Sequence, residues 1–412
     1  MARTVHTYKY ESQTLSGMTS SFQTFKIDEL QLGMYVHQIA EQKHDVSIKA
    51  QGLLLKEETI AGLKEKGVSK VVVDLSKSQH EIAPIKQVQE SETAKVLAKT
   101  SFENEIAKAS RLHDEGKRIQ QTLLDLIQEN ALLGKHVPKD FSKDIVDSIY
   151  RNPNALLCMT KIREKDEYLI EHSLNVSILL AHFGREFGMD RADIDELAYA
   201  GFLHDLGKIK VPDNILHKPG QLTDDEMEIM KLHVTYGAET LQDIGVDSGI
   251  VQTVCEHHER LDGKGYPAGK PDNEISLHGR MIAIVDVYDA LTADRVYKAG
   301  MSSQKALKII LEGCPHKYDE YLVNLFIKCV GIFPVGSLVL LSNQRIAFVL
   351  QQNEGNPTKP RVRVFYSANH RHYLESKDIN LATERNVEVV KPVMPREYGI
   401  DVKALFERSI KQ

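Results

Sequence analysis

"LAYAGFLHDLGKIKVPDNIL", residues 197–216, decides the fold of the middle of this chain. Ala198, Ala200 and Gly201 are small enough to let helices approach closely, and Gly207 stands where a helix would stop. His204 and Asp205 then fall in the last turn of a buried helix. A lone histidine there is most often a satisfied core residue. A histidine followed at once by an aspartate is different, because a buried carboxylate is costly unless a cation or several donors meet it.

Three neighbouring stretches repeat the anomaly. "LTDDEMEIMKLHVTYGAETL" (222–241) opens with Thr223 and Glu226 in capping-box spacing, so a helix starts there. Met227, Met230, Val234 and Leu241 mark its expected buried face, with His233 on the flank. In "RMIAIVDVYDALTADRVYK" (280–298) Asp286 interrupts an apolar helix where Leu or Val would be ordinary, and Asp289 follows at i+3 as a potential partner. "EYLIEHSLNVSILLAHFG" (167–184) sets His172 early in a helix whose buried surface is Ile170, Leu174, Ile178 and Phe183. "HHERLDGKGYP" (257–267) adds paired histidines before a glycine-permitted turn. Each signal is weak singly. Together, His172, His204, Asp205, His233, His257, His258 and Asp286 are the donor types that a binuclear site of borderline-hard metals requires, with one carboxylate bridging. Thiolates are missing from the set, and the four cysteines form no CxxC pair, which disfavours structural zinc.

The remaining pattern bounds the architecture. The 412 residues, 42% of them hydrophobic, suffice for several packed domains. No stretch approaches the ~20 apolar residues of a membrane span, and no signal-peptide core is evident, so a cytoplasmic address is expected. A net charge of -6 argues against DNA as the principal partner. Residues 1–22 read as a flexible tail and 23–83 as a small α/β domain, with strands "LGMYVHQI" and "VSKVVVDL" around the helix "EETIAGLKEKGV". Residues 84–149 read as long connecting helices, either an arm or a packing layer. A helical region follows at 150–330, and 331–412 is a β-rich segment with alternating, β-branched runs. The expected fold class is therefore multidomain and mainly α.

The ordered set His172, "HDLGK" (204–208), His233, "HHERLDGKGYP" and "DVYDALTADRVYK" (286–298) resembles the HD-GYP family. That family is a branch of the HD-domain metal-dependent phosphohydrolases and acts on bacterial cyclic dinucleotides, chiefly cyclic di-GMP. The resemblance implies an all-helical catalytic domain in which the seven residues named above bind two divalent ions, with Asp205 bridging. Iron or manganese comes first, and nickel or zinc suits the same donors. It further implies Lys208 as a catalytic residue beside Asp205, and Arg295, Lys298 and Tyr266 as substrate-binding residues, Tyr266 and nearby backbone amides lying at the pocket rim. The implied reaction is in-line attack by a hydroxide bridging the metals on a 3'-5' phosphodiester, giving linear pGpG. One departure stands out: members with a third metal carry a Glu four residues before the first histidine, and here that position is Tyr168. Two ions, and a halt at the linear dinucleotide, are therefore expected. A preference for 3',3'-cyclic GMP-AMP, or a non-hydrolytic receptor or scaffold role, stays open. So do a homodimer and a signalling protein partner.

Overall fold

The computed structural model describes residues 22–32, 34–42, 52–54, 56–74, 99–129, 139–162, 168–294, 299–353 and 355–409. The chain divides into two compact units, residues 1–91 and 92–412. The tail expected over 1–22 lies outside the described residues except for Phe22, which already opens a strand.

The first unit is the expected small α/β fold. Strands β1 (Phe22–Lys26), β2 (Tyr35–Gln42), β3 (Gly52–Leu53) and β4 (Val68–Asp74) form an antiparallel sheet in the order β1-β4-β2-β3. Helix α1 (Glu57–Glu65) precedes β4. Because β4 is paired on both edges and carries Val71, Val72 and Val73 in succession, it is buried on both faces. Phe25, Val36, Leu63, Val71 and Val73 belong to this unit's own core.

The second unit opens with α2 (Phe102–Gln128), a single helix of 27 residues capped by Ser101, whose Oγ accepts from Asn104 N at 3.2 Å. Ile106, Ala109, Leu123 and Ile127 are buried along it, so it is a packing layer. Buried Glu105 accepts from Arg151 Nη2 at 2.7 Å and Nε at 3.0 Å, tying α2 to α3 (Lys139–Arg151). After α4 (Pro153–Met159) comes α5 (Tyr168–Phe187), buried nearly all round although polar residues are interspersed. Leu174, Val176, Ile178, Leu180 and Phe183 are each fully buried, as befits the helix the others pack on. Helices α6 (Arg191–Leu203), α7 (Asp213–Leu216), α8 (Asp224–Asp243), α9 (Ser248–Glu256), α10 (Leu277–Thr292), α11 (Ser303–Glu312) and α12 (Glu320–Val330) complete the helical body. Among the described residues no helix is long and apolar enough to cross a membrane.

Strands β5 (Leu338–Leu341), β6 (Arg345–Gln351), β7 (Arg361–Ser367), β8 (His372–Asn380) and β9 (Val389–Val393) form an antiparallel sheet in the order β8-β7-β6-β5-β9. The short helices α13 (Pro395–Tyr398) and α14 (Val402–Ser409) follow it. Side chains alternate across a strand, and here they divide between two cores. Leu338, Leu340, Ile346 and Phe348 join the helical core, whereas Val339, Leu341, Ala347 and Val349 close a separate core on the opposite face.

Two expectations need correction. Met227, read as core, is 40% exposed, because the first two turns of α8 project past the helices that cover its second half from His233 onward. Gly207 does not stop the helix: α6 ends at Leu203, and a 3-10 turn (Leu206–Lys210) carries Gly207. What requires glycine there is proximity, since a Cβ would lie 1.9 Å from His233 O and 2.4 Å from Gly237 N.

Candidate metal centre

Five helices and one 3-10 turn bring the seven expected ligands together. His172 comes from α5, His204 caps α6, Asp205 opens the 3-10 turn, His233 lies mid-way in α8, His257 and His258 follow α9, and Asp286 sits in α10. All are buried except His258, whose side chain is 21% exposed.

Asp205 is the hub. Its Oδ2 lies 3.5 Å from His172 Nε2 and 3.4 Å from His204 Nε2, while Asp286 Oδ1 approaches the same two nitrogens at 2.9 and 3.8 Å. Its Oδ1 lies 3.6 Å from His233 Nε2 and 3.9 Å from His257 Nε2. Two donor groups result. One is His172, His204 and Asp286, the other His233, His257 and His258, and one oxygen of Asp205 faces each.

The far side of each ring is anchored. Nδ1 of His204, His233 and His257 donates to the carbonyl three residues earlier, at Gly201 (2.8 Å), Met230 (2.7 Å) and Val254 (2.5 Å). Nδ1 of His172 meets Asp289 Oδ2 at 2.8 Å, the partnership expected of that residue. These bonds fix the tautomer and leave Nε2 directed at the cluster. His258 is held differently: its ring lies against Tyr266, centroids 4.6 Å apart, and its Nδ1 faces Asp286 Oδ2 at 3.5 Å.

Charge follows this arrangement. Burial would lower His204, but Asp205 and Asp286 outweigh it and push the imidazole up to about 10. Burial would raise Asp205 and Asp286, yet the charges of His204 and Lys208 hold Asp205, and hydrogen bonds from His172 and His204 hold Asp286, well below the usual carboxylate range. Burial pulls His233 down to about 4, with the charge of Lys208 adding to it, and His258 down to about 3 against the opposing charge of Asp286. Lys208 donates to Asp205 Oδ2. His204 Nε2 and Asp205 Oδ1 are buried without a hydrogen-bond partner. Polar atoms left so are costly, and a divalent ion satisfies imidazole and carboxylate donors together, so the residues present fit a metal.

The Asp262–Pro267 turn differs from expectation in one respect. Three of its amides are taken up by the chain itself: Gly263 N donates to Arg260 O (2.9 Å), Lys264 N to Asp262 Oδ1 (3.2 Å) and Tyr266 N to His258 O (3.2 Å). Gly265 is there for close approach, because a Cβ would meet Arg260 N and Glu259 Cα at 2.5 Å. Arg295 and Lys298 lie outside the described residues. Glu171, one turn from Tyr168, is buried with its Oε1 3.7 Å from Lys117 Nζ.

Sequence reasoning missed Glu256 and Glu259, which flank the paired histidines and are fully buried. Glu256 accepts from Lys270 Nζ (2.7 Å) and Ser276 N (2.9 Å). Glu259 accepts from the amides of Ala268 (2.8 Å), Gly269 (3.1 Å) and Lys270 (3.0 Å). An acid beside "HH" reads like any exposed helix-end glutamate, so only the order Glu-His-His-Glu hinted at them.

Comparison with known proteins agrees with this geometry. Residues 157–322 match the HD domain, 338–400 a KOW domain associated with HD domain, and 23–133 a domain of unknown function (DUF3391). A cyclic di-GMP phosphodiesterase of Pseudomonas aeruginosa is 34% identical over 388 residues, 90% of this chain and 92% of that one. A cyclic di-GMP phosphodiesterase of Vibrio cholerae is 43% identical over 143 residues, 33% of this chain and 29% of that one. The 3'3'-cGAMP-specific phosphodiesterase 1 of the same species is 37% identical over 156 residues, 38% and 36% of the two chains. With near end-to-end similarity to one of these enzymes and the paired histidines, Gly-Tyr-Pro turn and Asp205 hub in place, the chain belongs to the HD-GYP family of HD-domain proteins.

Proposed function

We propose that this protein is a metal-dependent phosphodiesterase that opens cyclic di-GMP to linear pGpG. The observation that carries the reading is the pair of donor groups sharing Asp205. His172, His204, Asp286 and Asp205 Oδ2 would hold one divalent ion, and His233, His257, His258 and Asp205 Oδ1 the other. Iron or manganese suits this mixture of imidazole and carboxylate. Such ions supply Lewis acidity and make water a nucleophile at neutral pH. The chain's own groups do the rest. The Nδ1 anchors keep Nε2 inward, and Asp205 joins the two halves. Lys208 now neutralises Asp205, and once cations take that role its ammonium is free to meet phosphate charge. Arg295 and Lys298 complete the phosphate grip in this reading, and Tyr266 borders it.

Two features support two ions and a halt at pGpG. Tyr168 stands where a third-metal glutamate would be, and Glu171 is occupied by Lys117. The cyclic GMP-AMP relative keeps that ring as the second reading, since the phosphodiester chemistry is the same for both. A catalytic region of 150–330, between an α/β domain (23–83) with its connecting helices (84–149) and the 331–412 β-rich segment, is the working division. Lowering cyclic di-GMP would favour motility over biofilm. The test is reconstitution: chelated protein should be inactive and regain turnover with manganese or iron, whereas turnover by the metal-free protein would contradict the reading.

A further inference from the structure

Glu256 and Glu259 are buried carboxylates for which the proposed chemistry has no use, although they adjoin two of its ligands. On the last turn of α9 and the residues after it, His257 and His258 face the cluster while Glu256 and Glu259 face away, into the chain that runs on to α10. Lys270 is gripped by both, its amide on Glu259 and its ammonium on Glu256. The three amides on Glu259 form a closed set of charge-assisted bonds around one carboxylate. That clamp folds the loop back so tightly that Gly265 touches the Glu259 backbone, and it delivers Tyr266 onto His258.

His258 is the ligand that needs such help. The other four histidines each have Nδ1 fixed by a carbonyl or carboxylate within 2.8 Å, whereas His258 Nδ1 meets Asp286 Oδ2, itself part of the cluster, at the longer 3.5 Å, and its ring packs against Tyr266 and His257 with centroids 4.6 and 4.1 Å away. We infer that Glu259 is a positioning residue: by clamping the amides of residues 268–270 it seats Tyr266 against His258 and so fixes the His233–His257–His258 half of the centre. This rests on the metal-dependent reading above. His172 and His204 are anchored outside the clamp, by Asp289 and the Gly201 carbonyl, and only Asp286, whose Oδ2 faces His258 at 3.5 Å, links that half to it among the described contacts.

Glu259→Gln replaces an acceptor-only group by one that presents NH2 to an amide donor, so the set of three bonds cannot persist. Hydrogen–deuterium exchange of the manganese-loaded full chain should show amides 268–270 exchanging about tenfold faster or more, with 204–210 unchanged. After dialysis the variant should retain about one ion per chain where the wild type retains two. With manganese in excess, KM for cyclic di-GMP should rise about tenfold while kcat stays within about threefold. Tyr266→Ala leaves Glu259 and its three amides in place, and should reproduce the metal loss and the KM rise without faster exchange at 268–270. It also decides the matter if Glu259→Gln does not fold. An opened loop with two ions retained, or Tyr266→Ala protein with unaltered metal content, overturns the proposal. If wild-type protein binds two ions yet opens neither ring, the functional reading fails, and exchange and metal content still judge the clamp.

Discussion

Asp205 shows how much one side chain can determine. Each of its oxygens serves a different donor group, so Asp205→Asn removes a carboxylate shared by both and exchanges an acceptor for a donor. Turnover should drop about 100-fold or more, with the far-ultraviolet circular dichroism spectrum unaltered, and wild-type turnover in that variant would exclude the hub role. The centre's charges also set how the metal-free protein responds to pH. His233 and His258, depressed to about 4 and 3, take up protons more readily when unfolded, so stability should fall as pH drops from about 6.5 towards 4. His204, raised to about 10, works in the opposite sense. Its contribution is complete below about 6.5 and is lost as pH rises towards 10. Melting temperature in chelator, scanned from pH 4 to 10, should therefore peak in the middle of that range, and a flat profile would contradict the arrangement. Metal must also displace the His204 proton, so loading near neutrality should acidify a weakly buffered solution.

At the scale of elements, the 3-10 turn pressed on α8 is the critical join. Gly207→Ala would drive a Cβ into the backbone of His233 and Gly237, and should destabilise by more than about 3 kcal/mol in denaturant unfolding. Arg151→Ala, which leaves the buried Glu105 carboxylate its Ser148 Oγ donor but no cation, should cost about 3–5 kcal/mol. Much of this level was legible. The capping box of α8 is present, Glu226 N donating to Thr223 Oγ1 and Thr223 N to Glu226 Oε2, because both partners are local in sequence. The seven donors were legible too, since an acid or imidazole on an apolar helix face contradicts its surroundings. Met227, Gly207 and Glu259 were not. How far a neighbour covers a helix, how near another backbone comes and which distant amides a carboxylate meets are tertiary facts that periodicity does not carry.

For the second unit as a whole, the C-terminal sheet is part of the catalytic body's core. Phe348 is buried on the face of β6 that joins the helices, so Phe348→Ala should cost about 3–5 kcal/mol and lower the melting of the helical region with it. Independent melting of sheet and helices would refute that. Metal should stabilise the same unit, because ions that bind only the folded cluster shift its unfolding by mass action.

The most direct measurement is chromatographic product analysis after incubating manganese- or iron-loaded protein, prepared without oxygen, with cyclic di-GMP and with 3',3'-cyclic GMP-AMP separately. The predicted result is opening of cyclic di-GMP, with linear pGpG accumulating and little GMP. The contradictory result is both rings intact in a protein shown by metal analysis to hold two ions.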